Sequence, residues 1–375
     1  MTATRRALLG GLAALPTLTA LPAFAQSAET PDAALDAVFA GNPAPAMGAM
    51  ILGKAGVQWS AVRGLRREGA ADAVTLADRW SLGSNTKAMT AALFARLVEQ
   101  GRARWAMPLA EAFPGVAVDP AWGETTLDDL MHHRGGLLDV EVIGRDWLMT
   151  ARDDPASLPE QRAVIAARAL GKAPGGPRGA FAYGNANYML LGAVIERITG
   201  QSWEDAMRAE IFAPLGITSG GFGPPKGDNA WGHRAAGGQR TPMPPEHPGA
   251  DNPFALGPAG MAHMTLADYA RFLGVYLNDG AGWLTPDSVR ILTTPAAGPG
   301  RGYACGWGVL EQAWAGANGP GPMLAHEGTN TMWHAFAAVA PQRGLAVVTV
   351  ANDFTTGRAG GQQLGRRLIP LSTVA

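Results

Sequence analysis

The stretch WHAFAAVAPQRGLAVVTVA, Trp333–Ala351, carries the first decision about the fold. Two apolar runs, WHAFAAVA and LAVVTVA, flank Pro341-Gln342-Arg343-Gly344, a turn signal between two strand signals. This reads as a hairpin close to the C-terminus. Near the opposite end of the chain, MGAMIL (Met47–Leu52) and VQWSAV (Val57–Val62) flank Gly53-Lys54-Ala55-Gly56, a hairpin of the same kind. Most of what lies between reads as helix. The economical architecture is α+β: one antiparallel sheet assembled from both chain ends and flanked by helices, an α/β sandwich with an inserted, mainly helical region at about 100–225.

Local signals fill in the helices. Thr30 is placed as an N-cap, with Pro31 at the first helical position and Gly41 past the end. Thr126 and Asp129 have capping-box spacing. SLGSNTKAMTAALFARLVEQG, from Ser81, turns from a polar run into a helix that is apolar on all sides, as a buried helix must be. NYMLLGAVIERITG is another largely apolar helix, stopped by Gly200, and SWEDAMRAEIFAPLG is a third. A closing helix is expected around Gly361 to Leu371. Pro224 to Gly260 is different, with 15 glycines and prolines in 37 residues, the composition of a long functional loop or a disordered one.

The chain has 375 residues, 47% hydrophobic and 16% charged, with 30 basic and 31 acidic residues and a net charge of −1. No basic stripe argues for a nucleic-acid partner. Arg5 and Arg6 precede an apolar stretch, Ala7 to Ala20, and small residues at Ala23-Phe24-Ala25 suit a cleavage point. Residues 1–25 therefore read as an export signal of the twin-arginine type, leaving 26–375 as a single domain. The expected location is periplasmic or secreted, with no stable membrane insertion once the signal is removed. Cys305, the only cysteine, admits no internal disulfide. It sits in the strand-like run YACGWGVL as a small core hydrophobe.

Three groups of residues could carry chemistry. Ser84 and Lys87 are one helical turn apart and share a face. A buried lysine is pushed toward its neutral form, and a neutral amine can take the proton of a serine hydroxyl. The backbone N–H groups at the start of that helix would lie near Ser84, ready for a developing oxyanion. Tyr183 and Asn185, two apart just before a helix, fall on the same side of an extended backbone. A tyrosine hydroxyl can relay protons, and an asparagine amide can bind a carbonyl. In HEGTNTMWHAF, His326, Glu327 and Gly328 read as the start of a strand, and the glycine lets something approach the backbone closely. If that strand borders Ser84, the N–H of Thr329 is a second oxyanion donor. Trp231, His233 and Trp333 are weaker candidates for a substrate rim. Zinc-ligand spacing is absent, since His132 and His133 are adjacent and His326-Glu327 lacks a histidine three residues on. Gly-x-Ser-x-Gly is also absent, so a nucleophile elbow is not supported.

Taken in order, Ser84-x-x-Lys87, Tyr183-x-Asn185 and His326-x-Gly328 resemble the serine β-lactamase and penicillin-binding protein family. The likeness is to its class C β-lactamase, DD-carboxypeptidase and family VIII esterase-like branch. It extends to TLDDLMHHRGGL, which looks like the family's helix and loop ending in His-x-Ser-Gly-Leu, with His133 and Gly136 present where the family has them. It also extends to YGNANYMLLGAVIERITGQSWEDAMRAEIFAPLGI and GPAGMAHMTLADYARF, and so covers roughly Pro31 to the C-terminus. The resemblance implies a β-lactamase/transpeptidase-like fold and no metal or cofactor. Ser84 would be the acylated nucleophile, and Lys87 and Tyr183 would share the acid and base work. Asn185 would hold the substrate, Gly328 would keep the strand backbone open, and Ser84 and Thr329 would give the oxyanion-hole N–H groups.

Departures from the family pattern bear on substrate. His326 stands where the β-lactamases have lysine, and histidine need not be charged at working pH. Glu327 stands where many members have a hydroxyl residue that helps bind a carboxylate. Strand alternation leaves open whether Glu327 faces the site. Gly135 replaces a usual serine, a loop adjustment. The expectation is an exported serine hydrolase that cleaves an ester or amide through an acyl-enzyme on Ser84, nearer an esterase or peptidase. The alternatives are a true β-lactamase or DD-carboxypeptidase, acting on a small-molecule or peptide substrate, and a penicillin-binding receptor that does not turn over.

Overall fold

A computed structural model describes residues 29–372. The leader reading of residues 1–25 lies outside them. The two hairpins do join into one sheet. Its strands are β1 (Ala46–Gly53), β2 (Gly56–Gly64), β3 (Gly308–Gln312), β4 (Gly321–Gly328), β5 (His334–Ala340) and β6 (Leu345–Ala351). They lie in the order β2-β1-β6-β5-β4-β3, every neighbouring pair antiparallel. The two chain ends meet where Met50 of β1 pairs with Val348 of β6.

Alternation along β1 explains why MGAMIL and LAVVTVA read as nearly continuous apolar runs. Met47, Ala49 and Ile51 pack on one face with Leu345 and Val347, under helix α1 (Pro31–Gly41) and the C-terminal helix (Thr355–Leu368). Met50 and Leu52 belong to the larger core on the opposite face, with Val348 and Val350. Strands covered on both faces have no polar side to present. The sheet is therefore the middle layer of the sandwich.

The capping signals act as read. Thr30 Oγ1 accepts from the Ala33 N–H, and Thr126 and Asp129 form a reciprocal capping box. Gly200 takes the left-handed conformation at the end of the helix Asn185–Thr199. The Ser81 stretch forms a short 3₁₀ turn, Gly83–Asn85, and then helix Thr86–Glu99, in which most side chains are buried.

Some boundaries differ from the sequence reading. The closing helix begins at Thr355, because its first half, TTGRAGG, is too glycine-rich to announce a helix. Gly357, Gly360 and Gly361 instead let it lie flat on the sheet, against Ala351, Met47 and Thr349. His326–Gly328 end a strand that starts at Gly321 rather than beginning one. Cys305 is fully buried as expected but sits in a bend, three residues before β3 starts. Within Pro224–Gly260 the chain forms a small hairpin, His233–Ala236 with Gln239–Pro242, followed by short 3₁₀ turns and a short helix. Among the described residues, no helix is long and apolar enough to cross a membrane.

Candidate active site

Ser84 lies in the 3₁₀ turn and Lys87 one turn later, at the N-terminal end of a helix buried between the sheet and the helical region. Lys87 is fully buried. Its Nζ is 3.1 Å from Ser84 Oγ, 2.8 Å from Asn185 Oδ1 and 2.7 Å from the Ala259 carbonyl. When Asn185 and Ala259 take two N–H groups, the remaining tetrahedral direction of the amine points at Ser84 Oγ. A lone pair there can accept the hydroxyl proton. From the other side, the Tyr183 hydroxyl donates to Ser84 Oγ at 2.9 Å. Tyr183 is 44% exposed, so this proton route opens toward solvent and substrate.

Two glycines let the end of β4 meet this turn backbone to backbone. Gly83 has φ +48°, and a Cβ on it would lie 2.3 Å from the Thr329 amide nitrogen. A Cβ on Gly328 would lie 1.9 Å from the Leu82 carbonyl oxygen. Neither position tolerates a side chain, and the result is that the Thr329 amide is set beside the Gly83–Ser84 turn.

His326 points into the site and Glu327 out of it. The His326 Nδ1 is 2.7 Å from the Glu327 carbonyl, which can only accept, so Nδ1 carries the proton. Its Nε2 then accepts from the Tyr303 hydroxyl at 3.0 Å. Burial, helped by the Lys87 charge, lowers the imidazole to about 3, so His326 is neutral. Glu327 lies on the opposite side of the strand, bound by Arg358 and Gln362 of the closing helix and 3.6 Å from His334 Nε2. Burial would raise its carboxyl, but His334, Gln362 and Arg358 hold it at about 2. Its charge is spent on that helix and does not face the nucleophile.

Two further residues support the site. Asp139 Oδ2 accepts from the Asn185 N–H at 2.8 Å and from Asn185 Nδ2 at 3.2 Å, while Oδ1 accepts from the Ala186 N–H at 2.8 Å. It caps the Asn185–Thr199 helix from outside and fixes which end of the Asn185 amide faces Lys87. His133, with φ +57°, is buried, its ring 4.5 Å from Tyr183 and 4.7 Å from Tyr303. Burial holds this imidazole well below its ordinary value, so it backs Tyr183 as a neutral ring. His133 was legible only as part of TLDDLMHHRGGL, and Asp139 had no signal, since it acts across 46 residues.

The rim candidates separate. His233 is fully buried, bound to the Asn352 carbonyl and the Glu68 N–H. Trp333 is buried edge-on against Trp80, 6.1 Å between centroids. Both are structural, because the Gly/Pro-rich loop folds back onto the sheet. Trp231 stays partly exposed under the Arg67 guanidinium. Asp128, His132 and Cys305 bring ligand atoms within 4.8 Å of one another. The two His132 ring nitrogens lie 2.8 Å from the Asp128 carbonyl and 3.2 Å from the Thr294 carbonyl.

The family model for Beta-lactamase matches residues 35–369. The chain belongs to the Beta-lactamase family. It is accordingly a serine hydrolase, related to penicillin-binding proteins and to hydrolases of amide bonds. It is 30% identical to Penicillin-binding protein 4 of Amycolatopsis lactamdurans over 311 residues, which cover 77% of this chain and 76% of that protein. It is 26% identical to Unguisins hydrolase ungD of Aspergillus violaceofuscus (strain CBS 115571) over 76% of this chain, and the match spans about half, 54%, of that hydrolase. Among solved structures, an octameric penicillin-binding protein homologue from Pyrococcus abyssi superposes with a TM-score of 0.73 at 23% identity, over 91% of this chain and 77% of that one. At that identity the superposition speaks to the fold, an antiparallel sheet flanked by helices.

Proposed function

We propose that this Beta-lactamase-family enzyme is an exported hydrolase that cleaves an ester or amide through an acyl-enzyme on Ser84, with esterase or peptidase-type substrates rather than β-lactams. One observation carries the reading: Ser84 Oγ sits between Lys87 Nζ at 3.1 Å and the Tyr183 hydroxyl at 2.9 Å. In the reaction Ser84 attacks the carbonyl and its proton passes to Lys87. The oxyanion is held by the Ser84 and Thr329 N–H groups. Lys87 and Tyr183 return a proton to the leaving group, Asn185 positions the substrate, and water then releases the acyl group. The lean away from β-lactams rests on His326, a neutral ring where a fixed cation would attract a substrate carboxylate. The orientation of Glu327 removes it from that consideration. The relatives named for a penicillin-binding protein and a D-alanyl-D-alanine carboxypeptidase keep amides within range.

A fluorophosphonate probe and a fluorescent penicillin on wild type and Ser84→Ala test the nucleophile. Equal labelling of both proteins sinks the assignment. Turnover of short-chain p-nitrophenyl esters without nitrocefin hydrolysis supports the substrate lean, and rapid nitrocefin turnover reverses it. Persistent penicillin labelling without turnover makes the chain a receptor. For export, Arg5→Lys with Arg6→Lys should hold the protein in the cytoplasm, and undisturbed export would overturn the twin-arginine route.

A further inference from the structure

Thr329 is held by a turn that is itself unusual. Thr331 takes φ +72°, a left-handed conformation that a β-branched residue adopts only under constraint. Side chains supply the constraint. Thr329 Oγ1 accepts from the Thr331 N–H at 2.8 Å, and Asn330 Oδ1 accepts from the Met332 N–H at 3.2 Å. Asn330 is buried, and its Nδ2 donates to Asp251 Oδ1 at 2.9 Å. Asp251, 79 residues away in sequence, belongs to the Gly/Pro-rich loop and is 4% exposed. Oδ1 also accepts from the Asn252 N–H at 2.8 Å, while Oδ2 is sealed from solvent with no partner.

We propose that Asp251 is a positioning residue for the oxyanion hole, holding the Thr329 amide in place through Asn330. This rests on the acyl-enzyme reading above. An ionised carboxylate accepts the Asn330 N–H more strongly than a neutral acid does, so the grip on the turn follows the charge of Asp251. That charge titrates in a useful range, since burial raises the carboxyl to about 6. The charged groups around it do not replace this role. Arg152 donates to the Asp251 backbone carbonyl at 2.7 Å and not to its carboxylate. Asp154, Lys226, Glu246 and His247 line the same cavity of about 470 Å³ as exposed side chains of mixed sign.

The test uses the full-length protein, p-nitrophenyl butyrate, and pH profiles between 5 and 8. Asp251→Asn keeps the acceptor and cannot ionise, so it stands in for the protonated acid. At pH 7.5 its kcat should be about tenfold below wild type with KM little changed, the cost of one weakened hydrogen bond to a charged group. Wild-type kcat should fall as pH drops through about 6, and the two profiles should converge at pH 5. Asn330→Ala should reproduce the loss, and Asp251→Asn should add nothing to it. Superimposed wild-type and Asp251→Asn profiles, or fully additive losses, overturn the proposal. If Ser84 takes no fluorophosphonate label, the acyl-enzyme reading fails and the inference falls with it. Labelling of Ser84 with superimposed profiles sinks the inference alone.

Discussion

Replacing Asp139 with alanine should slow the enzyme more than it destabilises it. The carboxylate accepts the Asn185 and Ala186 backbone N–H groups and one N–H of the Asn185 amide. The two backbone bonds cap a helix of fifteen residues, Asn185–Thr199, and losing such a cap costs about 1–2 kcal/mol. For a domain of this size that is a fall of a few degrees in Tm. The third bond has a different consequence. With Asp139 in place, Asn185 Nδ2 is occupied and Oδ1 is turned to Lys87 Nζ, 2.8 Å away. Without it the amide can rotate, and a rotated Nδ2 would set one donor against another. Lys87 would then lose one of the two acceptors that aim its third direction at Ser84. Leaving a buried donor without its acceptor costs about 1–3 kcal/mol, so kcat/KM should fall by about 5- to 100-fold. The assay is hydrolysis of p-nitrophenyl butyrate with thermal unfolding measured on the same samples. Asp139→Asn, which keeps an acceptor, should recover part of the rate. A variant that loses several degrees of Tm and keeps kcat/KM within about twofold of wild type would refute the reasoning, because Asp139 would then be a cap and nothing more.

Tyr183→Phe removes only the hydroxyl that donates to Ser84, and kcat for an ester should drop by about 10²- to 10⁴-fold with the fold unchanged by circular dichroism. Glu327→Thr should leave KM for carboxylate-bearing substrates unaltered, because the side chain faces Arg358 and Gln362. It should instead destabilise the protein at pH 7 by about 1–2 kcal/mol, allowing for solvent screening of a partly exposed group. The Glu327 carboxyl is lowered in the fold to about 2. Its contribution is therefore present above pH 4.5 and is lost as pH falls toward 2, so chemical denaturation of the two proteins should converge in acid. Asp251→Asn should do the reverse. The buried acid is raised from 3.8 to about 6, so wild-type stability declines as pH rises through that interval, by up to about 3 kcal/mol. The variant should be the more stable protein at pH 7, although its kcat is lower. Equal urea midpoints at pH 7 and pH 4 would rule this out.

Much of the site could be located in the sequence because its parts are locally marked. Ser84 and Lys87 are a helical turn apart, so helix geometry alone puts them together. Tyr183 and Asn185 announce themselves beside a helix start. The site histidine was legible as a residue, but neither its charge nor the direction of its neighbour was. The charge depended on burial of the ring beside Lys87, and the direction on which face of β4 meets the closing helix. The supports were not legible at all. Asp139, Ala259 and Asp251 lie tens to hundreds of residues from the groups they hold, and none has a spacing that marks it.

The sequence by itself determined the two hairpins, the caps at Thr30, Thr126 and Gly200, and the nucleophile with its lysine. Each of these is written in a window of a few residues, where backbone geometry sets the outcome. Only the tertiary structure decided the order of strands within the shared sheet, that His326 is neutral, that Glu327 faces away, and that Asn185 and Asn330 are bonded to distant acids. Such relations arise when long loops close and side chains lose water together. Burial and hydrogen-bond partners then set their charge and orientation, and neither exists until the chain has folded.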